Sequence, residues 1–220
     1  MCGRFANHVQ DMGRWGDILG DWPDEVAVSY NIAPGADIAA FTKEGGAPMR
    51  WGLVPAWSKT ASTRYATFNA RSESLIGKPA FRGAWNDGQR CLIPLQGYYE
   101  WQTLNGGKQP YYLFVASGEP LVCAGLWDQW GSGPEQFQSC TMIIRAASPA
   151  IAFIHPRMPL FVPLFNAREW LEGKPDSCAE LLGPDVTPAN ELELGYYPVS
   201  QQVNNPRNEG AGLCAPLLAR

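Results

Sequence analysis

Residue 2 is a cysteine and residue 3 a glycine. A small residue after the initiator permits removal of Met1, which leaves a free α-amine beside a thiol. The reference pKa values of such groups are about 7.7–8.0 and about 8.5, so near neutral pH a usable fraction of each is free amine or thiolate. A 1,2-aminothiol does what a plain cysteine cannot. Its amine condenses with an aldehyde to an imine, and its thiol then closes a five-membered thiazolidine ring. The alternative for Cys2 is the ordinary one, an inert buried thiol. Three further stretches carry polar groups where apolar patterning predicts burial. Phe68-Asn69-Ala70-Arg71-Ser72-Glu73 sets an amide, a guanidinium and a carboxylate at alternate positions, hence on one face of an extended segment. Gly97-Tyr98-Tyr99-Glu100-Trp101 puts a lone carboxylate among aromatics, where desolvation raises its pKa toward general acid or base use. Ile154-His155-Pro156-Arg157-Met158-Pro159 holds one of the two histidines, the other being His8. Each has a purely structural alternative: Glu100 pairing Arg71, His155 capping a helix end, Asn69 satisfying a turn.

The elements that must position these residues read mostly as short strands broken by Gly and Pro, at 28–32, 37–42, 49–53, 90–94, 98–102, 111–115, 121–126, 138–145 and 192–199. Asn7 caps an expected helix over 7–19 with Val9, Met12, Trp15 and Leu19 inward, although Gly13 and Gly16 weaken it. Ser148-Pro149 opens a short helix stopped by Pro156, and further helices are expected over 166–173 and 175–182. Strands in runs with helices at the ends predict an α+β protein. It is expected to be a single domain over 1–220, a strongly bent, barrel-like, mainly antiparallel sheet with peripheral helices.

Composition bounds the function. With 45% apolar residues, 17% charged and nine tryptophans, the chain is a packed globular protein rather than a disordered one. No run approaches the roughly 18 apolar residues of a membrane span, and the start lacks the pattern of a signal peptide. A cytoplasmic location, with no membrane partner, is the expectation. The six cysteines, at 2, 91, 123, 140, 178 and 214, form no CxxC pair. Free thiols are expected, with no metal site and no cofactor. The net charge of −4 hides an asymmetry: between Lys59 and Arg90 six bases face two acids, a local +4, which leaves −8 on the remainder. Between Arg168 and Glu193 seven acids face two bases. A basic segment in an acidic protein can form a local phosphate track; a solvated cationic face is the alternative.

The sequence closely resembles the SRAP family, the SOS-response-associated peptidase or abasic-site processing proteins. The matching stretches are Met1-Cys2-Gly3-Arg4-Phe5, Tyr30-Asn31-Ile32-Ala33-Pro34, Arg50-Trp51-Gly52-Leu53-Val54-Pro55-Ala56-Trp57, Asn69-Ala70-Arg71-Ser72-Glu73, Gly97-Tyr98-Tyr99-Glu100-Trp101 and Ile154-His155-Pro156-Arg157-Met158-Pro159. They follow the family's order, and Val199-Ser200, Val203-Asn204-Asn205 and Arg207 echo its C-terminal pattern.

The resemblance implies a monomer that binds single-stranded DNA containing an abasic site, whose open-chain sugar is an aldehyde, and is nucleoid-associated when bound. Cys2 is then the nucleophile that captures the aldehyde as a thiazolidine and shields the lesion. Asn69 orients the cysteine or the opened sugar, Glu100 handles protons during imine formation, and His155 acts as acid/base on the sugar hydroxyl. Arg4, Arg71 and Arg157 are implied phosphate ligands, with Pro34 on the same DNA surface. Trp51 and Trp101 are candidates for stacking on bases, with core packing the alternative for each. The family's peptidase label and a lyase activity come with the same resemblance. One departure stands out: members commonly carry Thr about eleven residues before the histidine, and this chain reads Met142-Ile143-Ile144-Arg145-Ala146 there. A hydroxyl contact to the DNA backbone is expected to be missing, with Arg145 a charged replacement. Three rival readings remain. A class II glutamine amidotransferase also begins Met-Cys-Gly, but leaves Glu100 and the His155 motif without roles. A thiol peptidase and a non-catalytic DNA-binding module are the others.

Overall fold

The computed structural model describes residues 2–7, 12–63, 65–183 and 193–217. Its strands are β1 (Phe5–Ala6), β2 (Asp37–Thr42), β3 (Gly45–Trp51), β4 (Asn69–Arg71), β5 (Arg90–Leu95), β6 (Gly97–Leu104), β7 (Gly107–Val115), β8 (Leu121–Trp130), β9 (Phe137–Ala146), β10 (Arg157–Pro159) and β11 (Leu194–Pro198). The helices are short: α1 (Gly16–Leu19), α2 (Pro79–Asn86), α3 (Ala167–Glu172) and α4 (Pro175–Glu180). Five strands close on themselves in the order β9–β3–β2–β5–β8 and back to β9. All pairs in the ring are antiparallel except β3 with β9, and β4 also runs parallel to β9. A second, antiparallel sheet has the order β1–β6–β7–β11. The expected α+β class with a barrel-like, mainly antiparallel sheet is what the fold shows.

Alternation along the strands makes the barrel. Successive side chains point to opposite faces, so in a closed sheet every second one enters the lumen. Ile38 and Ala40, Met49 and Trp51, Cys91 and Ile93, Cys123, and Cys140 and Met142 form one buried cluster from all five strands. The residues between them, including Ala39, Phe41, Leu92, Ala124 and Ile143, join an outer cluster covered by Phe81 and Trp85 of α2 and Trp170 of α3. Phe5 and Tyr98 of the second sheet share the lumen cluster with Cys2. The second sheet and the N-terminal arm therefore close one end of the barrel.

Several local expectations are corrected. Residues 28–32 form no strand. Ile32 makes only a two-bond bridge with Phe5, because the Asn31 amide turns inward and donates to the Asn205 and Asn208 carbonyls at 3.0 and 2.8 Å. The expected helix at 149–155 is a set of turns: its backbone bonds to Ser148 and Ile151 never extend into a ladder. Of the expected 7–19 helix, residues 8–11 lie outside the described residues, and the rest is a 3₁₀ turn (Gly13–Trp15) followed by α1. Leu192 also lies outside them, and its strand begins at Leu194. Helix α2 was not anticipated. Its signal was present, with Pro79 at the first turn and Phe81, Ala84 and Trp85 on one buried face. Among the described residues no helix is long and apolar enough to cross a membrane.

Candidate active site at the end of the barrel

The N-terminal arm is held on both sides. On one side β1 pairs with β6, Phe5 opposite Tyr98 and Ala6 opposite Gly97, and the Tyr99 N–H donates to Arg4 O at 2.9 Å. On the other, Arg4 donates to Asn31 Oδ1 at 2.8 Å and Val203 O at 2.6 Å. The Arg4 guanidinium thus ties three of the sequence's motifs together. These bonds make it a clamp on the arm.

The clamp sets Cys2 beside β4 and β6. Asn69, at the start of β4, donates from Nδ2 to Cys2 O at 2.6 Å in a buried bond, while its own Oδ1 is buried without a partner. The Cys2 side chain is buried, and its Sγ lies 3.9 Å from Arg4 O. Burial first, and the Glu100 charge second, push its thiol pKa up. The resting side chain is therefore a neutral thiol.

Glu100 is the carboxyl whose charge bears on that thiol. It sits on β6 two residues from Tyr98, is buried, and its pKa is pushed up to about 7 by desolvation, with the positive chain terminus pulling the other way. Its Oε1 lies 3.6 Å from His155 Nδ1, so the carboxyl faces the histidine and does not pair Arg71. Burial lowers the His155 pKa. The Arg157 N–H is 3.1 Å from Nδ1, and Arg157 O is 3.2 Å from it. A neutral ring can accept from the first and a protonated ring can donate to the second, so Nδ1 has a backbone partner in either state. A carboxyl pushed up to about 7 facing an imidazole whose pKa burial lowers is the equipment of acid–base chemistry.

Two open cavities flank this centre. One, of about 630 Å3, is lined by Glu100, Trp101, Lys108, Phe153 and His155. The Trp101 indole N–H donates to Asn204 Oδ1 at 2.7 Å, which fixes the ring at the cavity's edge. The other, of about 700 Å3, runs past Asn69, Arg71 and Lys78 to Trp57, Tyr65 and Phe81. Arg71 is exposed in it. Arg157 pairs Glu73 at 2.5 Å, and that pairing leads the causes that lower the Glu73 pKa. Pro34 is exposed.

Trp51 is corrected. It is fully buried, donates to Phe68 O at 2.8 Å, and packs edge-on against Phe5 and Phe68 at 5.0 and 5.7 Å. No base can reach it, and its role is to fill the lumen. The aromatics that face solvent along the Asn69–Arg71 cavity are Trp57 and Tyr65, 66% and 81% exposed. The sequence reading passed over both, although Trp57 ends the Arg50–Trp57 motif and Tyr65 lies within the basic segment. Ile144, eleven residues before the histidine, is buried in the same cluster as Cys2. Arg145 lies next to Arg157 along a separate shallow pocket. All six cysteines are free.

The fold and site together are a five-stranded barrel with a buried N-terminal-arm cysteine held at one end by an amide, near a carboxyl–imidazole pair. Residues 1–206 match the model of the SOS response associated peptidase (SRAP) family, and the chain belongs to that family. It is 35% identical over 225 residues to the abasic site processing protein YoaM of Bacillus subtilis, covering 97% of each chain. It is 28% identical over 233 residues to the abasic site processing protein YedK of Escherichia coli, covering 99% of this chain and all of that one. A crystal structure of a Bordetella bronchiseptica protein superimposes with a TM-score of 0.78 at 26% identity, covering 90% of this chain and 100% of the other.

Proposed function

We propose that the protein processes abasic sites in single-stranded DNA by forming a covalent thiazolidine through Cys2 once Met1 has been removed. The Cys2 amine adds to the C1′ aldehyde of the opened sugar and loses one water to give the imine. Glu100, as carboxylate, takes the thiol proton. The sulfur pair then forms the C–S bond to the imine carbon, and the C=N π pair moves to nitrogen, which takes a proton back from Glu100. His155 serves the sugar hydroxyl during ring opening and, in reverse, during release. Asn69 fixes the Cys2 carbonyl and so orients amine and thiol together, while its unpartnered Oδ1 can accept from the bound sugar. Arg71 and Lys78 hold phosphates along the larger cavity, and Trp57 and Tyr65 stack on unpaired bases.

The observation that carries this reading is the 2.6 Å bond from Asn69 to the Cys2 carbonyl, made beside a buried carboxyl whose pKa is pushed up to about 7. It prepares the main chain of residue 2 as well as its side chain, as aminothiol chemistry requires and simple thiol chemistry does not. The names of the relatives agree with the substrate. The test is a denaturing gel of the protein with an abasic single-stranded oligonucleotide. Wild type is expected to give an adduct that survives boiling, and Cys2→Ser only an imine that borohydride must trap. A boiling-resistant adduct from Cys2→Ser of wild-type yield refutes the reading.

A further inference from the structure

Tyr98 carries a hydroxyl that the resting fold does not use. The side chain is fully buried, and its oxygen has no hydrogen-bond partner. Three nearby tyrosines are satisfied: Tyr99 donates to Tyr30 O at 2.8 Å, Tyr111 to Gln102 Oε1 at 3.1 Å, and Tyr197 to Cys214 O at 2.7 Å; Tyr112 shares the unpartnered state but lies in a different cluster, away from Cys2. A buried hydroxyl left unpaired destabilises the fold, and phenylalanine would fill the same space without that penalty. The group is explained if its partner appears only during reaction.

Its position says what the partner is. Tyr98 stands opposite Phe5 across β1 and β6, two residues before Glu100. Its ring lies 6.0 Å from that of Phe161, and Phe161 bridges to Cys123. Tyr98, Phe161, Cys123 and Cys2 belong to one buried cluster at the barrel end. The charges that bear on the hydroxyl after burial are Cys2, Glu100 and Cys123, in that order. The sulfur meanwhile lacks strong donors; its described contact is the Arg4 carbonyl, to which it donates.

We propose that the Tyr98 hydroxyl donates a hydrogen bond to the Cys2 sulfur when that sulfur is a thiolate, and so holds the nucleophile for ring closure. This rests on the aminothiol reading above. In the closing step the thiol proton goes to Glu100, the sulfur pair goes to the imine carbon, and Tyr98 keeps its own proton. Burial holds the hydroxyl well above the usual tyrosine range, so it acts as donor only. A donor to an anionic sulfur offsets the desolvation that pushes the thiol up. The other groups facing the sulfur are fixed across the comparison: Glu100 on β6 raises its pKa, a backbone hydrogen bond from Arg4 and the chain terminus lower it, and Cys123 of β8 feels the thiolate in turn.

The test is Tyr98→Phe in Met1-free protein, with Cys2 titrated by 13Cβ-cysteine NMR and its resonance assigned from Cys2→Ser. The midpoint is expected to rise by about one pH unit. Closure to the heat-stable adduct is expected to slow about tenfold, while borohydride-trapped imine forms at the wild-type rate. The melting temperature should not fall, since an unsatisfied hydroxyl has been removed; a structural role alone predicts this last result without the first two. An unchanged midpoint with an unchanged closure rate overturns the proposal. Should Tyr98→Phe fail to fold, 3-fluorotyrosine at position 98 replaces it. Its more acidic hydroxyl is a stronger donor and must lower the midpoint, and no shift overturns the proposal. If wild type itself makes no heat-stable adduct the functional reading fails, while the titration, which needs no DNA, still decides the hydroxyl.

Discussion

Glu100 has a pKa pushed up to about 7 by burial, against an ordinary value of 4.5. The folded protein therefore keeps a proton that the unfolded chain releases near pH 4.5. Between the two values the native state binds more protons, so stability falls as pH rises through that window, and the full cost persists above it. Glu100→Gln removes a cost of on the order of 3 kcal/mol. Thermal melts at pH 8 should show the variant above wild type, with the difference gone at pH 4.5. The same substitution should slow adduct formation by about 10²–10⁴-fold and flatten the pH dependence near 7, where wild type gains rate as the carboxylate forms. A variant that melts lower at pH 8 and reacts at the wild-type rate contradicts both roles. Asn69→Ala leaves the Cys2 carbonyl unpaired, at a cost of about 1–3 kcal/mol. Chemical denaturation reads that loss, and single-turnover kinetics should show slower adduct formation at unchanged DNA affinity.

At the level of elements, the two tryptophans of one motif should separate cleanly. Trp51→Ala empties the lumen and should cost about 3–5 kcal/mol of stability. Trp57 is largely exposed, so Trp57→Ala should stay within about 0.5 kcal/mol by denaturant titration, while weakening single-strand binding by about 1–3 kcal/mol. Equal stability losses would sink this division. The sequence could not make it, because a strand tryptophan faces either side and only register decides; the pairing of Trp51 with Cys140 and its bond to Phe68 O turn it inward. Strands such as β2 and β5 were legible from apolar runs ended by Gly, Pro or polar residues. Segment 28–32 was misread because a buried Asn31 satisfies distant carbonyls that no local pattern reveals. The site shows the same split. Cys2, Asn69, Glu100 and His155 stood out by residue type, but their pairing is long-range. That Asn69 meets Cys2, and Glu100 meets His155 rather than Arg71, follows from closure of the barrel and from β1 lying on β6.

For the whole molecule, the local +4 between Lys59 and Arg90 lies within a chain of net charge −4, and Arg71 and Lys78 of that segment line the larger cavity with Trp57 and Tyr65. Binding of single-stranded oligonucleotides should weaken as salt rises, and Arg71→Ala should remove about 1–3 kcal/mol of affinity and reduce the log–log salt slope by roughly one. Equal affinity for duplex and single strand across a salt titration counts against this surface. The central claim is narrower: that amine and sulfur of residue 2 act together. It is tested most directly by a protein with one extra glycine left ahead of Cys2. That variant keeps the thiol and every other residue of the site, and loses the amine adjacent to it. An aldehyde can then form only a hemithioacetal, which reverts in water. Incubated with an abasic single strand and boiled, wild type should run as a covalent adduct and the glycine-extended protein as free protein. A boiling-resistant adduct of wild-type yield from the extended protein would contradict the account.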